Sequence, residues 1–265
     1  MIQIGTQGWN YDVWRGPFYP REARSDEFLG LYSRIFDTVE VDSTFYAPPT
    51  ENAVLGWARR TPANFTFSLK LPRRITHENK LRGSQADLEI FCDRARLLGP
   101  KLAAVLVQLP PDFSPRQFGA LESFLPLLPT DIRFAVEFRD AAWLVDETLD
   151  LLGELDVALA LADSVWVPRE LSLELAARLS GGCAYVRWLG PRSLTDHTHV
   201  QIDRERELAD WARAFSSLAG RVDRVVGYFN NHYQGHSPAS ANRFKELIGQ
   251  QPCDPGSLVT QPSLF

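Results

Sequence analysis

Short apolar runs alternate with amphipathic segments along the chain, and the two kinds of segment have different periods. The runs Ile2–Gly5, Thr38–Ser43, Phe65–Leu71, Ala103–Leu109, Phe134–Arg139, Ala158–Asp163, Cys183–Leu189 and Val225–Asn230 are rich in β-branched and aromatic residues, which predicts eight strands. Between them apolar residues recur at helical spacing. In Arg204–Leu218, Leu208, Trp211, Ala212, Phe215 and Leu218 form one stripe, with Asp203 placed to cap its start. A second helix is expected from Ser84, with Leu88, Phe91, Cys92, Ala95 and Leu98 inward and Ser84-x-x-Asp87 as a capping-box-like start. Strict alternation implies parallel strands with right-handed crossovers, and eight such units predict one closed (β/α)8 TIM-type barrel over residues 1–248. An open doubly wound sheet competes, but no Gly-x-Gly-x-x-Gly turn follows the first strand. From Gly249 the helical period disappears, so 249–265 reads as an extended, flexible tail.

Composition adds boundaries rather than chemistry. With 45% hydrophobic and 23% charged residues the chain is ordinary for a globular protein. No apolar run approaches the roughly 20 residues that cross a bilayer, and the N-terminus lacks the basic start of a signal peptide. Cys92, Cys183 and Cys253 form neither a disulfide framework nor a metal spacing. A cytoplasmic protein with no membrane partner is expected. The net charge of −5 excludes nucleic-acid binding by the whole surface and leaves a local basic groove open.

The strand pattern places charge in an unusual location. Residues of one parity share a face, so Val39 and Val41 outward put Glu40 and Asp42 inside the barrel. The same argument turns Ser68, Lys70, Gln108, Glu137, Arg139, Arg187, Tyr228 and Asn230 inward. Barrel interiors are normally filled with branched apolar side chains, and barrel enzymes carry their chemistry at the C-terminal strand ends. Asp42, Lys70, Glu137, Arg139, Arg187 and Asn230 all fall there, two carboxylates beside several cations, which suits an anionic substrate and acid–base work. The alternative is a self-neutralised network that closes the barrel, with Glu40 and Glu137 balancing Lys70, Arg139 and Arg187.

The loops above these strand ends supply aromatics: Trp9, Tyr11, Trp14, Phe18 and Tyr19 in the first, Phe45 and Tyr46 in the second, Trp143 in the fifth. Exposed rings at a cationic mouth would stack on a base or sugar. The third loop adds Arg73, Arg74, His77, Lys80 and Arg82 as a phosphate-tracking strip or a solvated loop. After the last strand, Asn230 and Asn231 lead to Ser237-Pro238, a capped helix start of the kind that binds phosphate in barrels. No zinc-ligand set converges, since only His77, His232 and His236 approach the mouth. No P-loop or Gly-x-Ser-x-Gly elbow occurs, so no nucleotide cofactor is expected. A weakly held Mg²⁺ would sit at Asp42.

The segments GTQGWNYDVWRGPFYP, VEVDSTFY, FTFSLKLP with ITH, VLVQLPP, AVEFRDAAW and GYFNN together resemble the YecE-like family, also called domain of unknown function 72. The resemblance implies a TIM-type barrel and marks Gly8, Trp9, Tyr11, Trp14, Glu40, Ser43, Phe45, Tyr46, Lys70, His77, Gln108, Glu137, Arg139 and Asn230 as family positions. It implies no activity. Where the family usually has Glu-x-Asn, this chain has Glu40-Val41-Asp42, a further negative charge at the rim.

The chain ends Gln261-Pro262-Ser263-Leu264-Phe265, similar to the peptide with which bacterial replication and repair proteins dock on the sliding clamp. Leu264 and Phe265 would fill an apolar pocket and Gln261 would hydrogen-bond beside it. The expectation is an enzyme acting on nucleic acid or another phosphorylated, anionic substrate, recruited by this peptide. In it Glu137 is the general acid or base, with Asp42 assisting. Lys70, Arg139 and Arg187 clamp the anion, and Trp9, Tyr11, Trp14, Tyr46, His77, Gln108, Asn230 and Asn231 bind substrate. A non-catalytic adaptor that binds nucleic acid or a nucleotide, and a sugar or sugar-phosphate isomerase or hydrolase, are the alternatives.

Overall fold

Alternation along each strand sorts the side chains of the barrel onto two faces. Outward residues such as Val39, Val41, Phe67, Leu69, Val105, Val107, Val136 and Val186 join the helices in one large apolar core. Inward, Ala104, Leu106, Ala135, Ala160, Tyr185, Val226 and Tyr228 form a smaller cluster inside the barrel. The computed structural model describes residues 1–218 and 220–258. Eight parallel strands close in sequence order: β1 (Ile2–Gln7), β2 (Thr38–Val41), β3 (Thr66–Lys70), β4 (Leu102–Gln108), β5 (Phe134–Glu137), β6 (Ala158–Asp163), β7 (Gly181–Trp188) and β8 (Val222–Phe229). The ring closes through β8 on β1, with Ile2 opposite Val225 and Thr6 opposite Phe229. Around it run α1 (Phe28–Tyr32), α2 (Glu51–Arg59), α3 (Gln85–Arg96), α4 (Phe118–Phe124), α5 (Asp146–Glu154), α6 (Arg169–Arg178), α7 (Glu205–Leu218), α8 (Asn231–Gln234) and α9 (Ser237–Leu247). Among the described residues no helix is long and apolar enough to cross a membrane.

All eight strands lie where the hydrophobic pattern places them, and the differences are local. The second strand stops at Val41, and Asp42–Phe45 turns as a 3₁₀ segment. The Thr44 hydroxyl causes this turn: it donates to the carbonyls of Val41 and Lys70 at 2.9 and 2.8 Å and accepts the Lys70 N–H at 3.0 Å. Helix α7 begins as expected, with Asp203 accepting the Glu205 N–H at 2.9 Å. The box at Ser84 does not form, because Ser84 Oγ donates to the Arg82 carbonyl at 3.1 Å and Asp87 pairs with Arg74 at 3.0 Å.

The segment after α9 begins with a Schellman stop. Gly249, at φ +75°, donates to the Glu246 carbonyl, and the Gln250 N–H reaches Lys245 O at 2.8 Å. The first part of the expected tail is then folded back onto the barrel floor. Gln250 Nε2 donates to Ile2 O at 3.0 Å, Arg34 donates to Ser257 O at 3.2 Å, and Leu258 is buried in the core. Its last residues, including Gln261, Leu264 and Phe265, lie outside the described residues.

Candidate functional site

The inward side chains become more polar from the barrel floor to its mouth. Low in the barrel, the Tyr228 hydroxyl lies 2.8 Å from Ser68 Oγ and 2.9 Å from Thr38 Oγ1. One layer above is a buried ion cluster. Arg187 binds Glu40 bidentately, Nε to Oε2 at 2.9 Å and Nη2 to Oε1 at 2.7 Å, and its Nη1 donates to Glu137 Oε2. Tyr185 donates its hydroxyl to Glu40 Oε2 at 2.6 Å, and Arg139 Nε reaches Glu137 Oε1 at 3.1 Å. Removing each such ion from water costs several kcal/mol, which these charge-assisted bonds must offset.

The two carboxylates end in different states. Burial raises both, but for Glu137 the charges of Arg187, Arg139 and Lys70 outweigh it and hold the carboxyl at about 2. For Glu40 burial prevails over Arg187, with Asp42 adding to it, and the carboxyl stands at about 7. Glu137 is therefore ionised, wholly buried and engaged through both oxygens. That is the environment of an anchor. The nitrogens of Arg187 hold Glu40 and Glu137, and it forms the floor of the mouth.

Above the cluster opens a cleft of about 620 Å³, within the range of small-molecule sites. Lys70, from the end of β3, reaches its floor with Nζ 4.0 Å from the Phe45 ring centroid and no carboxylate within 4.0 Å among the described residues. Burial and the Arg187 charge lower its amine to about 8, against the pull of Asp42, Glu137 and Glu40. The Arg139 guanidinium lies 4.0 Å over Trp166, and Arg192 reaches the same ring at 5.5 Å. Asn230 donates to Gln7 Oε1 at 2.8 Å, and Tyr46 stands at the lip, 80% exposed. His77 is lowered to about 4 by partial burial and by the neighbouring Lys70 and Arg139, so it is neutral at pH 7. The Gln108 amide nitrogen faces its Nε2 at 3.4 Å and Thr76 Oγ1 lies 2.8 Å from its Nδ1. This assigns the proton to Nδ1 and makes Nε2 the acceptor of the Gln108 amide N–H.

The structure thus brings Asp42, Tyr46, Lys70, His77, Gln108, Arg139, Arg187 and Asn230 around one cavity. Other sequence expectations lie elsewhere. Trp14 and Trp143 are fully buried; Trp9 packs edge-on against Trp57 and Phe67 at 6.0 and 6.5 Å, and Tyr11 ties its hydroxyl to Gln7 O at 2.9 Å. These rings pin the first loop to the barrel. Asn231 is not at the mouth either: its Oδ1 accepts the Ser237 N–H at 3.0 Å and the Ser237 hydroxyl at 2.8 Å. The start of α9 is thereby occupied by a side chain, which removes it as a phosphate site. Asp42 lies 3.9 Å from Arg187, and among the described residues no group of three His, Cys, Asp or Glu converges on a metal position. One carboxylate beside a guanidinium is a poor donor set for Mg²⁺.

Four cleft residues, Gln7, Pro111, Trp166 and Arg192, went unnoticed in the sequence, and two of them bear on the cleft's chemistry, Trp166 and Arg192. Each of these two lies in a loop, after β6 and β7, where strand parity gives no direction. Packing decides their place. Gly190, at φ +68°, lets the seventh loop approach α8 so closely that a Cβ would stand 2.1 Å from the His232 carbonyl oxygen, which fixes the loop that carries Arg192.

Comparison with known proteins gives a consistent family likeness. The family model described as "Protein of unknown function DUF72" matches residues 3–263. The UPF0759 protein YecE of Escherichia coli K12 is 34% identical over 139 residues, 52% of this chain and 48% of that protein, so the match spans about half of its length. The UPF0759 protein YunF of Bacillus subtilis is 25% identical over 94% of this chain and 95% of its own length. Among solved structures, a DUF72 family protein from Thermotoga maritima superposes with a TM-score of 0.80 at 25% identity, covering 94% of this chain and all of the other. One from Enterococcus faecalis gives 0.73 at 19% identity, covering 96% of this chain and 98% of the other.

Proposed function

The chain belongs to the DUF72 family, and we propose that this member is an enzyme that takes a small anionic substrate, bearing a phosphoryl or carboxylate group, into the cleft at the C-terminal end of its barrel. One observation carries this reading: in a chain of net charge −5, Lys70 and Arg192 both face this cleft with no carboxylate within 4.0 Å among the described residues. Buried or crowded cations persist where an anion completes them. Arg139, stacked on Trp166, provides a flat face for a planar group, and His77 adds no charge to the cleft. Glu40, Glu137 and Arg187 make the rigid floor. The cavity volume admits a sugar phosphate, a keto acid or a single nucleotide. The three unpaired cysteines fit a location in the reducing cytoplasm.

Lys70→Met separates function from folding. A thermal-shift screen of phosphorylated and carboxylated metabolites is expected to find ligands that stabilise the wild type, with affinity lowered tenfold or more in the variant. Below pH 8 the buried ammonium is itself a cost, of order 3 kcal/mol from its displacement from 10.5 to about 8. The unliganded variant should therefore melt no lower than the wild type at pH 7. A variant that loses stability and keeps its ligands would show a structural lysine and overturn this reading.

The terminal Gln261-Pro262-Ser263-Leu264-Phe265 is proposed as a separate tether to a sliding clamp, supported by its residue pattern alone. Calorimetry with a bacterial clamp should give micromolar binding that Leu264→Ala with Phe265→Ala abolishes. No heat from the intact chain would remove the tether.

A further inference from the structure

The basic residues of the cleft are of two kinds. Arg73, Arg139, Arg187 and Arg192 follow the habit of the chain, in which arginine supplies all but four of the 28 basic residues. Lys70 departs from it. The other three lysines have evident structural work. Lys80 pairs with Asp112 at 2.6 Å, Lys101 donates to the carbonyls of Ala58 and Thr61 at 2.6 and 2.8 Å, and Lys245 packs over Phe36. If position 70 served only to attract an anion, a guanidinium would do so with more donors and a fixed fork. The property a lysine has and an arginine lacks is an amine that releases its proton and becomes a nucleophile.

The surroundings suit that use. The Nζ is buried, lacks a carboxylate within 4.0 Å among the described residues and has the Arg187 charge nearby, which favour the neutral amine, while the Phe45 ring face 4.0 Å away holds it in place. Its backbone is held at both N–H and C=O by the Thr44 hydroxyl, so the amine is presented from a fixed strand end. Arg139 and Arg192 share the Trp166 ring in the same cleft.

We propose that Lys70 condenses with the aldehyde or ketone carbon of a small substrate, forming an imine, while Arg139 and Arg192 hold that substrate's carboxylate or phosphoryl group. This rests on the anionic cleft proposed above and names the substrate class. The neutral amine forms the C–N bond as the carbonyl π pair moves to oxygen. The oxygen takes up a proton and the nitrogen gives one up, leaving a carbinolamine. A second proton converts the hydroxyl to departing water, and the nitrogen lone pair closes the C=N bond. Lysine ammonium plus carbonyl thus become protonated imine plus one water, with charge unchanged and nothing oxidised or reduced. The proton passes from nitrogen to oxygen by way of solvent in the open cleft.

The four lysines make the test readable by peptide mapping. The intact protein is incubated at pH 7 with glyoxylate or glycolaldehyde phosphate and reduced with borohydride. Lys70 should be labelled at least tenfold faster than Lys80, Lys101 or Lys245. Inorganic phosphate should slow the labelling, uncharged glycolaldehyde should label Lys70 more slowly, and Lys70→Arg should carry no label in that peptide. Labelling of Lys70 no faster than Lys80, with phosphate still raising the melting temperature, overturns the imine and leaves the anionic cleft standing. If Lys70 is labelled equally by charged and uncharged aldehydes and phosphate has no effect on labelling or melting, the anionic substrate class fails, and this proposal with it. Absence of both label and phosphate effect overturns the two together.

Discussion

Arg187→Met is expected to destabilise the protein by about 3–5 kcal/mol, because it strands two buried carboxylates on one missing cation. Glu40 loses a bidentate partner and keeps only the Tyr185 hydroxyl; Glu137 keeps Arg139. Urea unfolding at pH 7 measures the loss through the shift of the midpoint at unchanged slope. The companion variant removes the entire cluster: Arg187→Met with Glu40→Leu and Glu137→Leu should recover most of the deficit, since apolar replacement of a complete buried ion set is often neutral. A cost below about 1 kcal/mol for Arg187→Met would mean that the cluster is hydrated and flexible, and with it the rigid floor of the cleft would be lost.

Glu137→Gln and Glu40→Gln should respond to pH in opposite directions. Glu137 is depressed from 4.5 to about 2, so its contribution is complete above 4.5 and disappears as the pH falls through 2. Glu137→Gln is thus expected to cost about 3 kcal/mol at pH 7 and progressively less between 4.5 and 2, taking 1.36 kcal/mol per pH unit. Glu40 is raised from 4.5 to about 7, so its contribution is complete below 4.5 and fades as the pH rises through 7. The penalty of Glu40→Gln should shrink from pH 4.5 to 7. Chemical denaturation across pH 2–8 tests both, and equal, pH-independent penalties would refute the assigned protonation states. Neither substitution is expected to move a proton-transfer pKa in turnover, which separates an anchoring Glu137 from a catalytic one.

The candidate site was legible where side-chain direction follows from strand parity. Glu40, Lys70, Gln108, Glu137, Arg139 and Arg187 are strand residues or adjoin strand ends, and a period of two sends them inward whatever surrounds them. Trp9, Trp14 and Asn231 were misplaced because they lie in loops or short turns. There an aromatic ring packs into the core as readily as it faces solvent, and an asparagine caps a helix as readily as it meets a ligand. Trp166 and Arg192 were overlooked for the same reason.

By itself the sequence determined the eight-stranded barrel, its single domain and the polarity of its interior, because alternation of apolar and polar residues acts over a few neighbours and needs no knowledge of the rest. Only the tertiary structure decided how the charges are used. Arg187 bridges β2 and β5 from β7, and this pairing makes Glu137 an anchor and leaves Lys70 without an acidic partner. Such pairing depends on distances between residues up to 147 positions apart, and on burial that sets one carboxylate near 2 and its neighbour near 7. Local pattern carries no record of either, since Coulomb and desolvation energies depend on separation in space and not along the chain.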